Sequence, residues 1–158
     1  MPFIHLTTFI NAPAERVFEL SRSVDLHKHS MGKFREEIIN GTISGPLELD
    51  QTVTWKARHL FKDRILKIKM TQVNRPGYFK DEQVQGPFRM LKHEHYFKSI
   101  ENGTIMIDQF LYEPPKGLFA KLANLLYLEK YMTSLLHKRN EVIKKVAESD
   151  QWKKYLNK

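Results

Sequence analysis

Between Phe34 and Tyr112 apolar and polar residues alternate in short runs: FREEIINGTIS, QTVTWKARHLF, RILKIKMTQV, GYFKDEQVQ, LKHEHYF and TIMIDQFLY. A period of two is that of a strand with one buried face. The runs are separated by turn formers at Gly45-Pro46, Lys62-Asp63, Pro76-Gly77, Gly86-Pro87 and Asn102-Gly103, a pattern that predicts an antiparallel meander. FIHLTTFI, Phe3 to Ile10, predicts one more strand. Asn11-Ala12-Pro13 then opens a helix, because proline suits a first helical turn and Val17, Phe18 and Leu20 supply an apolar side. Ser21, Ser23 and Asp25 offer a break before a second short helix, Leu26 to Met31. From Gly117 to Ala147 the spacing changes to three and four, through Leu118, Leu122, Leu125, Leu126, Met132, Leu135, Leu136, Val142, Ile143 and Val146. A helix of that length spans ~45 Å and can lie across a whole sheet. The expected organisation is one α+β domain over residues 1–148 and a loosely packed tail, SDQWKKYLNK, over 149–158.

The stretch MLKHEHYFKSIENGTIMIDQFLYEPP carries the most chemistry. With a two-residue turn at Asn102-Gly103, Glu101 faces Thr104, Phe97 faces Asp108, His95 faces Phe110 and His93 faces Tyr112. Alternation puts Leu91, His93, His95, Phe97, Thr104, Met106, Asp108, Phe110 and Tyr112 on one face. A short turn at Gly86-Pro87-Phe88 sets Asp81 opposite His93 and Phe79 opposite His95.

Composition narrows the class. The chain has 158 residues, 41% of them hydrophobic, enough for one domain with a core. It has no cysteine, which excludes disulfides and thiolate metal sites and agrees with a reducing compartment. The beginning, MPFIHLTTFINAP, lacks a basic segment followed by a long apolar run, and no 18-residue apolar run occurs. A cytoplasmic protein without membrane insertion is expected. The formal charge of +8 raises the question of an anionic partner. Lys56, Arg58, Lys67, Lys69, Lys80 and Lys92, however, alternate along strands as the wet side of a sheet does, and no basic block or RNA-reading aromatic motif accompanies them. Nucleic acid is not an expected partner.

The order strand, two short helices, six-stranded meander and long C-terminal helix resembles the helix-grip fold of the START/Bet v 1-like (SRPBCC) superfamily, which includes polyketide cyclases. The resemblance covers about Phe3 to Ala147 and is carried by INAPAERVFEL, FKDEQVQGPF, LKHEHYF, TIMIDQFLY and PPKGLFAKLANLL. It implies about seven strands wrapped around the long helix, with a cavity between helix and sheet for a lipid-like, polyketide-like or aromatic ligand. The face assignments place Trp55, His59, Phe79, Asp81, Gln83, His93, His95, Met106, Asp108, Phe110 and Tyr112 on the wall of that cavity, the polar ones orienting the ligand.

Two sharper readings compete. His93 and His95 with Asp81 or Asp108 offer metal-ligand atoms, yet buried imidazoles beside carboxylates satisfy one another without a metal, so neither a metal nor a cofactor is expected. A histidine held by an aspartate also suits proton transfer next to a carbonyl, as in a cyclase, dehydratase or isomerase, although binding alone does not require it. A third possibility is a protein-interaction module using the basic convex face.

Overall fold

The computed structural model describes residues 1–59 and 61–157. Leu60, in the expected strand Gln51–Phe61, and Lys158, in the expected tail, lie outside the described residues. β1 (Phe3–Ile10) leads into α1 (Ala14–Ser21) and α2 (Val24–Ser30), and the chain continues through β2 (Glu37–Gly41), β3 (Thr52–His59), β4 (Lys62–Asn74), β5 (Tyr78–Gln85), β6 (Met90–Ile100) and β7 (Gly103–Glu113). Among the described residues these strands form one antiparallel sheet in the order β1-β7-β6-β5-β4-β3-β2, a meander to which β1 is added beside β7. β2 is shorter than the pattern predicts. Gly32–Phe34 instead forms a 3-10 turn, and Arg35 turns the chain with φ 51° before pairing starts.

The β6–β7 register is displaced by two residues from the expected one: Ile100 pairs with Gly103, His95 with Asp108, His93 with Phe110 and Leu91 with Tyr112. Glu101 and Asn102 therefore form the turn, and Gly103 belongs to the strand. The neighbouring strand is the reason. Gly103 has φ 152°, and a Cβ there would stand 2.3 Å from the Ile10 carbonyl oxygen of β1, so glycine is required for strand contact rather than for the turn. A displacement of two leaves every side chain on its face, and the inward set from Leu91 to Tyr112 is buried as expected. Across β5–β6 the expected pairs Asp81↔His93 and Phe79↔His95 are present.

After β7 the chain runs through α3 (Leu118–Ala123), a π-helical stretch over Asn124–Leu128, and α4 (Glu129–Ala147). The helix is long, as expected, but its apolar stripe does not share one environment. Leu136, Ile143 and Val146 are in the core, whereas Leu118, Leu122, Leu125 and Leu126 are exposed. The π turn spaces its hydrogen bonds one residue wider, so a three-and-four pattern continued through it changes phase. Phe18 of α1 packs edge-on against Phe79 and Phe97 at 5.6 and 5.4 Å, closing one end of the sheet. The expected loose tail is a correction: α5 (Trp152–Leu156) buries Tyr155, whose hydroxyl lies 2.6 Å from His29 Nδ1, while Arg16 covers the Trp152 ring at 4.3 Å. Among the described residues no helix is long and apolar enough to cross a membrane.

Candidate ligand cavity

The concave side of the sheet and the long helix border a cavity of about 440 Å³ that is partly open to solvent. Inward positions along β3 to β7 build its wall: Trp55, Ala57 and His59, then Leu66, Ile68 and Met70, then Phe79 and Asp81, then His93, His95 and Phe110. Thus Trp55, His59, Phe79, Asp81, His93, His95 and Phe110 stand where the strand alternation puts them. Gln83, Met106, Asp108 and Tyr112 lie outside the wall, each for a visible reason. Gln83 Nε2 donates to the Phe88 carbonyl at 2.7 Å, so it ties the β5–β6 loop and leaves Pro87 and Phe88 to line the cavity. Met106 is fully buried against α1, with its sulfur 3.6 Å from Ser21 Oγ. The Tyr112 hydroxyl donates to Asn124 Oδ1 at 2.8 Å, anchoring the π turn. Asp108 sits behind the histidines.

Around Asp108 the partners differ from the direct cross-strand ones. His93 Nε2 lies 2.8 Å from Asp108 Oδ1, and His95 Nε2 lies 2.8 Å from Asp81 Oδ2, so each histidine bonds the carboxylate diagonal to it. His95 Nδ1 is 3.1 Å from Asp108 Oδ1, Arg139 Nη1 donates to that oxygen at 3.3 Å, and Asn140 Nδ2 donates to Oδ2 at 2.7 Å. Burial disfavours charge on Asp108, but the bonds from His93 and His95 and the Arg139 cation outweigh it and hold the carboxyl well below its ordinary range. Asp81 is also lowered: burial opposes ionisation, and the His95 bond overcomes it. Burial, reinforced by neighbouring His95 and opposed by the two aspartates, depresses His93 to about 4. His93 is therefore neutral near pH 7. Since an ionised Asp108 can only accept, His93 carries its proton on Nε2 and keeps a lone pair on Nδ1.

The other end of the cavity is also polar. His59 Nδ1 lies 2.8 Å from the Tyr131 hydroxyl, and His27 Nε2 stands 3.4 Å from Glu36 Oε2, which is buried without a hydrogen-bond partner. His27, Glu36, His59, Arg64 and Tyr131 all line the cavity. Burial, first of all, lowers the pKa of His59. β3 and β6 are three strands apart in the sheet, so this outer pole is about 14 Å from the His93 pole along the sheet.

Sequence reasoning missed His27 as well as Glu36, Tyr131, Arg139 and Asn140. For Arg139 and Asn140 a signal existed: both fall between Leu136 and Ile143 on the buried side of α4, where a polar pair needs a buried partner. His27 gave none, because its contact with Trp55, ring centroids 4.7 Å apart, is made between distant segments.

Asp81, His93 and His95 bring potential metal-ligand atoms within 4.8 Å of one another. Two imidazoles and a carboxylate are suitable donors for a divalent cation. Here, however, His95 is hydrogen-bonded to Asp81, His93 to Asp108, and Arg139 already supplies a cation. The cluster is satisfied by its own members, apart from a weakly aligned His95 Nδ1.

An antiparallel sheet of this order closed by a long C-terminal helix, with two short helices after the first strand, is a helix-grip fold, the architecture that the sequence resemblance to the START/Bet v 1-like (SRPBCC) superfamily implies. Among solved structures the chain is similar to protein TTHA0849 of Thermus thermophilus, with a TM-score of 0.71 and 18% identity over 90% of this chain and 97% of that one. It is similar to the di-domain ARO/CYC StfQ of the steffimycin biosynthetic pathway, with a TM-score of 0.74 and 10% identity over 92% of this chain and 50% of that one. Ginseng major latex-like protein 151 of Panax ginseng gives 0.68 and 11%, over 92% and 97%. At such identities the likeness is one of fold. The sequence matches neither a family profile nor a curated protein.

Proposed function

We propose that the protein binds an elongated, largely apolar small molecule with a hydrogen-bonding group at each end. The observation that carries this reading is the cavity of about 440 Å³, apolar along its middle and polar at two separated poles. Aromatic and aliphatic walls at Trp55, Phe79 and Phe110 supply affinity by excluding water, while convergent polar groups fix orientation. At the inner pole Arg139 offers donors and the His93 lone pair an acceptor; at the outer pole Glu36 accepts and Tyr131 serves either way. Helix-grip proteins whose names point to cyclisation, such as StfQ, make a polyketide-like or aromatic ligand the first class to try.

Native mass spectrometry of gently purified protein, followed by titration with anilinonaphthalene sulfonate, tests the proposal. A small molecule should travel with the protein, or the dye should be captured. Ala57→Phe, which places a ring in the void, should weaken capture about tenfold, equivalent to about 1.4 kcal/mol. Dye capture unchanged by that substitution would place the binding elsewhere and overturn the reading.

One observation favours a second, catalytic reading. Neutral His93, protonated on Nε2 toward Asp108, has the form of a general base whose tautomer is fixed by a carboxylate. If the bound molecule turns over, His93→Gln should lower the rate on the order of 100-fold with a smaller effect on binding. Turnover at full rate in that variant would exclude His93 as the base.

A further inference from the structure

The helix segment covering the cavity is apolar on both sides. Ala120, Ala123, Tyr127 and Leu128 line the cavity, while Leu118, Phe119, Leu122, Leu125 and Leu126 are 52–88% exposed. At ~100° per residue within α3, Leu118, Phe119 and Leu122 fall in one stripe and the cavity-lining Ala120 and Ala123 beside or opposite it; Leu125 and Leu126 continue the exposed row in the π stretch, where Tyr127 borders the cavity and is also 57% exposed. The tip between β3 and β4 adds a further apolar side chain, exposed Phe61, and is tied to the same helix by the bond between His59 and Tyr131. Scattered surface leucines need no explanation, but a contiguous row of large apolar side chains on one helix marks a contact surface.

Charge decides the occupant. Lys116, Lys121 and Lys130 are exposed within or beside this segment, and Glu129 is its one acidic residue. The whole chain carries +8. A second copy placed on this face would bring lysines of both copies together; an anionic lipid surface complements them. An apolar stripe bordered by lysines is also the pattern of a helix lying in the plane of a bilayer interface rather than crossing it. We propose that Leu118–Leu126 is an interfacial docking element for anionic membranes, and that it brings the cover of the cavity to the lipid surface. Docking at that position lets an apolar ligand pass between bilayer and cavity without crossing bulk water. This extends the binding reading but does not depend on it, since the exposed stripe and its lysines lie outside the cavity wall.

Flotation with vesicles of phosphatidylcholine containing about 30% phosphatidylserine tests the proposal. The protein should float with them, bind pure phosphatidylcholine more weakly, and dissociate as salt is raised. The triple variant Leu118→Ser, Leu122→Ser, Leu125→Ser should lose about tenfold or more in partitioning while keeping its circular dichroism and dye capture. Because the chain contains no cysteine, a Phe119→Cys variant can be labelled at one place with an environment-sensitive fluorophore, and its emission should shift to the blue on vesicle addition. Failure of the wild type to float, or equal flotation of the triple variant, overturns the proposal. So does a dimer in solution that the triple substitution splits, if vesicles bind neither form, for then a second copy covers the stripe.

Discussion

His93 is held neutral by burial and by neighbouring His95, against the pull of Asp108 and Asp81, and that has a consequence for stability. Its pKa falls from an ordinary 6.5 to about 4 in the folded protein. Between those values the unfolded chain takes up a proton that the native state refuses, so stability is lost as pH falls from 6.5 toward 4 and is intact above that window. At about 1.4 kcal/mol per unit the loss amounts to roughly 3 kcal/mol. His59, also depressed by burial, works in the same direction, and the lowered Asp81 and Asp108 add a loss below the ordinary carboxylate range. Urea unfolding at a series of pH values should therefore show a shallower acid slope for His93→Gln than for wild type, because glutamine can still donate to Asp108 but does not titrate. Equal slopes would mean that His93 is charged in the native state. The residues of this cluster were legible from strand alternation; their pairing was not. Alternation assigns a face, while the choice between Asp81 and Asp108 depends on the diagonal reach of an imidazole and on Arg139, which arrives from a helix 31 residues further along the chain than Asp108.

At the level of elements, strand order, helix order and the long C-terminal helix were legible because each rests on local periodicity. The helix stripe shows where that ends. Leu125 and Leu136 look equivalent in sequence, yet Leu125 is exposed and Leu136 is in the core. Leu136→Ala should cost about 2–5 kcal/mol, whereas Leu125→Ala, away from packing contacts, should stay within about 0.5 kcal/mol. Chemical denaturation of the two variants checks this directly. Similar losses would mean that the N-terminal half of the helix packs onto the protein in solution.

For the whole molecule, α5 packs onto the domain through Tyr155, which is in the core, and Trp152, which lies against it. Removing residues 150–158 deletes the His29–Tyr155 hydrogen bond and the Arg16–Trp152 contact and uncovers the α1 side chains beneath. The shortened protein should unfold at lower urea than the full chain, by an amount corresponding to about 3 kcal/mol or more for the loss of buried aromatic packing. An unchanged midpoint would restore the expectation of a loose tail.

The period-two runs and turn residues by themselves determined that this chain folds as an antiparallel meander with His93, His95, Asp81 and Asp108 turned inward, because backbone geometry alternates side chains whatever surrounds them. Tertiary structure decided the rest. Gly103 slid the β6–β7 register by two because β1 lies against it, Arg139 and Asn140 completed the buried charge cluster from across the domain, and the π turn separated one apolar stripe into a core half and an exposed half. Each of these outcomes depends on contacts between segments far apart in the chain, where local periodicity carries no information about which partner will be met.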